Sequence, residues 1–246
     1  SGNLSDTNRD TLEKTLFIRL VHSGVPLVQL RTQYRCHPAI SGLANKLFYK
    51  GCLVDGIGAE DRPALVEGLP PLVWIDADDG AERISGSGGY SNQREVDVIG
   101  HTVSLLLQAG HAPADIGVIA LYRSQVALLT PVVDQQVQAA SGGKSHASSR
   151  VQVSTVDAFQ GAERPIILVS CCRSRKPERK GFVDSPQRMT VALTRARTHL
   201  IVVAHATALS SSDAWAHILS VCRAQGRGGY VKGSQVLACR DWAWLQ

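Results

Sequence analysis

The hydrophobic pattern of the first fifty or so residues predicts two helices and a strand. Apolar residues recur at helical spacing at Leu12, Leu16, Phe17 and Leu20. The pattern stops at Gly24, which predicts a helix over about 11–22. We expect a short strand at 26–31 and then a helix from Pro38 to Leu47, because proline is tolerated in the first turn of a helix.

From residue 71 onward, apolar runs of strand length alternate with helical patterns. The runs are PLVWID, IGVIALY, VQVSTV, RPIILVSCC and HLIVVAH. Strands that are apolar throughout and separated by helices are typical of a parallel sheet covered on both faces. We therefore predict an α/β fold with a doubly wound parallel sheet in three α/β/α layers. Ligands in such folds bind beyond the carboxyl ends of the strands, so chemistry is expected after Leu121, Val153 and Cys172 and at the helix near 186.

Local signals mark where the helices begin. Asn92 with Glu95 resembles a capping box. Ser185 with Pro186 is an N-cap and N1 pair, and the helix that it opens is expected to run through 197. Pro131 should kink or restart the helix that begins at RSQVALL. A last helix is expected from Asp213, with apolar positions at Trp215, Ile218 and Val221.

Composition narrows the class of protein. A chain of 246 residues with 44% hydrophobic and 19% charged residues is ordinary for a globular domain. It has no run of eighteen or more apolar residues and no signal-peptide pattern, so we expect a soluble chain with no membrane partner. Six cysteines without a CxxC pair predict free thiols and no metal site. A net charge of +5 suits a polyanionic partner, although many proteins without one are as basic.

Three polar blocks stand out against this pattern. They are QYRCHP at 33–38, STVDAFQGAE at 154–163 and VALTRAR at 191–197. Each alone has an ordinary explanation, since an isolated arginine is usually solvated, DAFQG suits a turn and VALTRAR suits an amphipathic helix. Their order and spacing along the chain are what make them informative.

In sequence order, the blocks resemble the last motifs of superfamily-1B helicases, the group of the nonsense-mediated-decay RNA helicase, senataxin and the immunoglobulin mu-binding helicase. The resemblance is carried by LRTQYRCHPAISGLANKLFY, IGVIALYRSQ, VQVSTVDAFQGAERPIILVSCCRSR and GFVDSPQRMTVALTRAR. The run TQYRCHPAIS is most similar to the DNA helicases that carry a GRF-type zinc finger. The resemblance implies a RecA-like second motor domain (helicase domain 2A) over 1–224 and a C-terminal extension over 225–246.

The resemblance also implies a set of ATP-binding residues. Arg195, expected on a helix facing a cleft, is the candidate arginine finger, and Arg35 is a second phosphate sensor. A planar guanidinium suits both roles, because it can hold two phosphate oxygens while negative charge develops in the transition state. Glu163 takes the position that reaches the ribose hydroxyls, just after the turn at Gln160 and Gly161.

A second set is expected to contact nucleic acid. Ser154 and Thr155 lie at a predicted strand end, where hydroxyls and backbone amides can hold phosphates. Tyr122, Arg123 and Gln125 follow IGVIA and match the next strand-end motif, although Arg123 and Gln125 are equally suited to capping the following helix. The same segment that carries Ser154 also carries Glu163, so it is expected to face both ligands.

Two charged or glycine-rich loops have weaker interpretations. The loop RSRKPERKG at 173–181 holds five basic residues and one acid, which suits either a phosphate contact or a solvated loop. Gly142 to Ser145 imitate the end of a P-loop, but position 138 holds no glycine, so we expect a linker there. No Walker A lysine, DExx or GDxxQL segment occurs in the chain.

The missing motifs are those of a first RecA-like motor domain, which the resemblance places in the same polypeptide. ATP and Mg²⁺ are the implied cofactors, with Mg²⁺ held by that first domain, and this chain alone is expected to be inactive. The implied activity is 5′-to-3′ unwinding of single-stranded or forked DNA in DNA repair. The implied location is the nucleus, with the cytoplasm as the alternative. An RNA helicase of the decay or senataxin type is the alternative. A catalytically silent binding or interaction module is the alternative of another class.

Overall fold

The computed structural model describes residues 16–26, 28–86, 89–142, 150–176 and 182–245. The chain divides into two units, Ser1–Thr32 and Gln33–Gln246. In the first unit, helix α1 (Leu16–His22) ends before Gly24, which has a φ of +82°. The first residues of the helix predicted at 11–22 lie outside the described residues. The strand predicted at 26–31 is wrong, because 28–31 are not in a strand and β1 comprises only Thr32–Gln33.

The second unit is built on a sheet of six parallel strands in the order β10-β3-β9-β8-β6-β7. The strands are β3 (Leu72–Asp76), β6 (Ile116–Ala120), β7 (Gln152–Thr155), β8 (Arg164–Ser170), β9 (Ala196–Ala204) and β10 (Tyr230–Lys232). Two small two-stranded sheets lie outside the main sheet. One is formed by β1 and β2 (Val54–Asp55), and the other by the antiparallel strands β4 (Glu82–Ile84) and β5 (Tyr90–Asn92).

Helices cover both faces of the sheet. They are α2 (Pro38–Phe48), α3 (Gln93–Gln108), α4 (Arg123–Ala140), α5 (Pro186–Leu193), α6 (Ala206–Leu209), α7 (Asp213–Ala224) and α8 (Gly233–Ala238). One core cluster joins α2, α5 and α7 to the sheet, and the other joins α3, α4 and α8. The predicted three-layer, doubly wound parallel α/β fold is confirmed, and the arrangement is RecA-like.

Strand β3 shows why a strand of such a sheet is apolar throughout. Leu72 and Trp74 face the first core cluster, whereas Val73 and Ile75 face the second. Side chains alternate across a strand, so a strand buried on both faces needs apolar residues at successive positions. Trp74 packs edge-on against Trp215 of α7 with ring centroids 6.2 Å apart. Its indole N–H donates to the carbonyl of Ala204 at 3.2 Å, so the ring is buried without losing a hydrogen bond.

One helix prediction is wrong, and of the kink or restart predicted at Pro131 the restart does not occur. Helix α5 ends at Leu193 and β9 begins at Ala196, so the helix predicted through 197 is wrong. The backbone N–H of Arg164 donates to the carbonyl of Arg195 at 3.1 Å, and this sheet bond takes the chain out of the helix. Helix α4 runs through Pro131 without restarting. Leu129 and Val133 are buried in the core on either side of it, and this packing outweighs the one lost backbone bond.

The segment expected as a C-terminal extension contributes to the main sheet. Strand β10 pairs in parallel with β3, with Val231 opposite Ile75, and Val231 is buried. Helix α8 packs against α3, and Val236 reaches the same core cluster. Residues after 224 therefore complete one edge of the fold. Within the described residues, no helix is long and apolar enough to cross a bilayer.

A buried polar network lies where β8 ends. The Glu95 carboxylate, fully buried on α3, accepts hydrogen bonds from the Ser170 hydroxyl at 2.6 Å and from the Cys172 N–H at 2.9 Å. Cys172 has a φ of +67°, which turns its N–H toward this carboxylate. The predicted capping box forms only in part, because Asn92 caps the N–H of Glu95 while the Glu95 side chain points inward. Burial raises the pKa of Glu95 to about 7, against the lowering effect of these two donors.

This pKa predicts how folding stability depends on pH. A carboxyl group whose pKa is higher in the folded state binds more protons when folded, so its contribution is fully present below about pH 4.3 and is lost as pH rises through about 7. Between pH 5 and pH 8, we expect this group to lower the free energy of unfolding of the wild-type chain by an amount on the order of 3 kcal/mol. The Glu95→Gln variant should not show this decrease. Denaturant unfolding at both pH values measures it, with the exposed Glu67→Gln as control. Equal pH dependence in both variants would refute the assignment.

Candidate functional site

Three residues from distant parts of the sequence meet at one edge of the sheet. Glu163 immediately precedes β8, Arg195 immediately precedes β9, and Arg35 precedes α2. Arg35 forms an ion pair with the Glu163 carboxylate through its Nε, and its Nη1 donates to the carbonyl of Thr194 at 3.3 Å. The predicted sensor, ribose-contacting and finger residues are therefore brought together. The side chains of Arg35 and Glu163 remain 37% and 39% exposed, so both are accessible to a ligand.

The backbone around Arg35 is held by a side chain to which the sequence pattern assigned no such role. The Gln33 amide oxygen accepts from the N–H groups of Arg35 at 2.9 Å and of Cys36 at 2.8 Å. Its amide nitrogen donates to the carbonyl of Cys36 at 2.9 Å. The N–H of His37 donates to the carbonyl of Arg197 in β9 at 2.8 Å. The turn that carries Arg35 is thus fixed to the strand that follows Arg195.

Arg195 lies in the turn between α5 and β9 and not on a helix as expected. Its Nε donates to the carbonyl of Val191 at 3.1 Å, its Nη2 to the Thr194 hydroxyl at 3.1 Å and its Nη1 to the carbonyl of Ala162 at 3.4 Å. The side chain thereby caps a carbonyl at the end of α5, as basic residues often do. Burial, and then the guanidinium of Arg35, lower the pKa of Arg195.

The electrostatics of this cluster favour an anion. The guanidinium groups of Arg35 and Arg195 are close enough to repel each other electrostatically, and the carboxylate of Glu163 faces them. Cys36 lies beneath them, and burial raises the pKa of its thiol to about 11, so it stays neutral. Half-buried cations with a shortage of negative charge bind a phosphate more strongly than surface cations do. Within the described residues, no group of His, Cys, Asp and Glu is arranged to hold a metal ion.

Gln160 and Gly161 form an exposed turn leading into Glu163. Gly161 has a φ of +87°, in the left-handed region, and nothing lies within 4 Å of the position of an added Cβ. A glycine is needed there for its backbone conformation and not for space. The whole cluster lies at the amino ends of β8 and β9. These candidate residues therefore do not lie beyond the carboxyl ends of the strands, where the sequence pattern led us to expect the chemistry.

The opposite edge carries most of the residues predicted to contact nucleic acid. Thr155 ends β7 beside Ala120, which ends β6, so Tyr122 and Arg123 follow at the same carboxyl edge. Arg123 is exposed at the start of α4. The Ser154 hydroxyl is buried and has no hydrogen-bond partner within the described residues. The Thr155 hydroxyl accepts from the N–H of Ala158 at 3.4 Å.

Gln125 is a correction to that set. Its side chain is fully buried. The amide oxygen accepts from the Asn92 N–H at 2.9 Å, and the amide nitrogen donates to the Asn92 carbonyl at 3.1 Å and to the Ser170 hydroxyl at 2.9 Å. Both donors and one acceptor site of the amide are used in joining α4 to α3 and β8. Because the side chain is fully buried in these contacts, Gln125 is a structural residue in this structure.

Arg173 is a second correction, since it is not a solvated loop cation. Its Nε pairs with Glu82 at 2.9 Å, and the two side chains are only 11% and 8% exposed. Its guanidinium lies 4.1 Å from the ring centroid of Tyr90, which packs edge-on against Tyr122 at 5.2 Å. Burial would raise the pKa of Glu82, but donors from Ser174 and Arg173 lower it below its usual value. Arg175 is exposed, like Lys176, and 177–181 lie outside the described residues.

Comparisons with known proteins identify the family of this chain. The AAA_12 family model, described as an AAA domain, matches residues 12–207. The 5′-3′ DNA helicase ZGRF1 of Mus musculus is 42% identical over 217 residues, covering 88% of this chain and 11% of that protein. The regulator of nonsense transcripts 1 homolog of Neurospora crassa is 35% identical over 216 residues, covering 85% of this chain and 19% of that protein.

A solved C-terminal domain, described as that of a possible DNA helicase from Lactobacillus, aligns with 82% of this chain and 99% of its own length, at 14% identity and a TM-score of 0.43. That score is too low to add to the strand order already described. This chain spans less than a quarter of the length of the two relatives named above. From the family match and the two sequence relatives, the chain belongs to the AAA_12 AAA-domain family and to the superfamily-1 helicases of the nonsense-mediated-decay and senataxin-like group.

Proposed function

We propose that this chain is the C-terminal motor domain of an ATP-dependent 5′-to-3′ DNA helicase or translocase. The observation that supports this most is the meeting of Arg35, Glu163 and Arg195 at one half-exposed edge. A catalytically silent module has no physical need to assemble two arginines against one carboxylate. Similarity to a mouse 5′-3′ DNA helicase at 42% identity favours DNA as the substrate. A role in DNA repair in the nucleus is part of the proposal. An RNA substrate is the alternative, from the decay-type relatives.

The proposed chemistry is electrostatic. Hydrolysis of ATP spreads negative charge over the γ-phosphate oxygens, and a cation inserted from across a cleft stabilises that charge as it develops. Arg195 is the proposed finger, because its present partners are neutral oxygens at 3.1 to 3.4 Å, which a charged phosphate can replace. Arg35 is the proposed sensor, and Glu163 is released from it to meet the ribose hydroxyls. Gln160 and Gly161 form the turn that places Glu163.

The chain supplies only part of such a site. Its sequence has no P-loop lysine and no acidic DExx motif. We propose that the first RecA-like domain of the same polypeptide holds the β- and γ-phosphates and Mg²⁺, as P-loop backbone amides and acidic residues do. The Arg35, Glu163 and Arg195 edge then faces that domain. Residues 1–224 act as the motor domain, and 225–246 as an extension that completes its sheet.

The carboxyl edge is the proposed nucleic-acid surface. Ser154 and Thr155 end β7, and Tyr122 and Arg123 follow the end of the neighbouring parallel strand β6. This placement suits contacts with the successive phosphates of one strand. The segment from Thr155 to Glu163 leads from this surface to the ATP edge. A shift of the segment when ATP is bound or hydrolysed would therefore alter the grip on nucleic acid. We propose this as the physical link between hydrolysis and movement along the strand.

Replacing Arg195 tests the finger in the full-length protein. We expect Arg195→Ala to lower nucleic-acid-stimulated ATP turnover by roughly 10³-fold, because the charge acts chiefly in the transition state. Loss of its neutral hydrogen bonds should cost only about 1 kcal/mol of stability. Arg195→Lys should rescue little, since a point charge cannot hold two oxygens in a plane. Turnover near wild type, or a domain that no longer folds, would make Arg195 a helix cap and nothing more.

The salt dependence of binding tests whether the exposed residues 175–176, which follow β8, contact nucleic acid in the isolated chain. Binding should be weak and steeply salt-sensitive, because neutralised phosphates release their counterions. We expect Arg175→Ala combined with Lys176→Ala to reduce the slope of log affinity against log salt by roughly 0.7 to 0.9 for each phosphate that is no longer neutralised. Arg227→Ala combined with Arg240→Ala removes the same charge from exposed positions near β10 and serves as control. Equal slopes for both double variants would return 175–176 to a solvated loop.

A further inference from the structure

An irregular excursion between β2 and β3 is attached to the backbone of the proposed sensor arginine. Arg62, in this excursion, points its guanidinium at main-chain carbonyls and at no carboxylate within the described residues. Its Nε donates to the carbonyl of Arg35 at 2.9 Å, its Nη2 to that of Tyr34 at 3.0 Å and its Nη1 to that of Asp61 at 2.8 Å. The family motifs that point to ATP chemistry do not include this residue.

The far end of the excursion is fixed to strand β9. The Nε2 of His199 accepts from the N–H of Leu65 at 2.9 Å, so the ring proton lies on Nδ1, which donates to the carbonyl of Pro70 at 3.0 Å. His199 is 1% exposed, and burial lowers its pKa to about 4, which keeps Nε2 an acceptor at neutral pH. Val66 and Leu69 are buried in the core as well. Residues 62–70 therefore form a strap anchored a short distance along β9 from Arg195.

The strap provides a second set of hydrogen bonds to the turn that carries Arg35, in addition to those of Gln33. The Gln33 amide oxygen holds the Arg35 N–H at 2.9 Å from one side, and Arg62 holds the Arg35 carbonyl from the other. The peptide groups on both sides of the Arg35 Cα are thereby fixed. The side chain itself is more than a third exposed, and its contacts are Glu163 and the Thr194 carbonyl. The direction of the Arg35 side chain therefore depends on the conformation of the backbone at Arg35.

We propose that Arg62 is a positioning residue for ATP hydrolysis, which holds the backbone at Tyr34 and Arg35 so that the Arg35 guanidinium meets the γ-phosphate. The inference rests on the proposed function, in which Arg35 is the phosphate sensor. The geometry demands an arginine, because two donors of one planar group reach two successive carbonyls. A lysine has one nitrogen, which cannot occupy both positions. A misplacement of about 1 Å at a catalytic group costs up to roughly 10²-fold in rate.

The test uses the full-length protein and measures kcat and KM for ATP with saturating nucleic acid. We expect Arg62→Ala to lower kcat/KM by roughly 10- to 10²-fold, and Arg62→Lys to recover only part of it. Nucleic-acid affinity should not change, since Arg62 lies near the ATP edge. Arg227→Ala, an exposed arginine in the C-terminal segment, is the matched control and should behave as wild type. If Arg62→Ala does not fold, Arg62→Gln, which loses the planar fork, takes its place.

A double variant separates positioning from a general structural role. If Arg62 acts through Arg35, Arg62→Ala should cause no further loss in an Arg35→Ala background. Full additivity of the two losses would overturn the proposal, as would wild-type kinetics for Arg62→Ala beside an inactive Arg35→Ala. Retention of activity by both Arg35→Ala and Arg195→Ala would instead refute the proposed function on which it rests.

Discussion

Backbone hydrogen bonds at the amino ends of β8 and β9 are the interaction on which the proposed site depends. The Arg164 N–H donates to the Arg195 carbonyl at 3.1 Å, which places Glu163 beside Arg195. The His37 N–H donates to the Arg197 carbonyl at 2.8 Å, which brings the turn of Arg35 to the same place. These bonds involve no side chain, so the guanidinium and carboxylate groups are not needed to hold the backbone together at this edge. Parallel pairing of two buried strands thus assembles residues that lie far apart in the sequence.

The sequence was sufficient for the fold class because the strands of a parallel sheet are buried on both faces and therefore apolar throughout. The family resemblance in the sequence also led to Arg35, Glu163 and Arg195 as candidate residues, and the structure brings these three together. It did not show at which edge they meet, since that depends on where α5 stops and β9 starts. Helix α5 ends at Leu193, with Thr194 as its C-cap, because the carbonyl of Arg195 is taken by Arg164 of β8, a partner that no local pattern reveals.

Polar residues were the hardest to place, because their role depends on partners distant in sequence. The pattern predicts Gln125 as a surface residue at a helix start, yet Asn92 and Ser170 enclose it in the core. It predicts Arg173 as part of a basic loop, yet the hairpin of β4 and β5 supplies Glu82 to pair with it. Glu82 and Glu95 also accept backbone N–H groups of the chain just after β8. These two carboxylates shape the carboxyl edge beside the proposed nucleic-acid surface.

At the centre of the proposed function, this chain contributes arginines and a ribose contact to ATP hydrolysis but no cradle for the phosphates. The most direct measurement is Mg²⁺-dependent ATP hydrolysis by the purified chain 1–246, with and without single-stranded DNA. We expect negligible turnover under both conditions, and turnover on the usual helicase scale when the same segment is part of the full-length protein. Robust Mg²⁺-dependent turnover by 1–246 alone would contradict this division of roles, because the phosphates would then have a cradle within this chain.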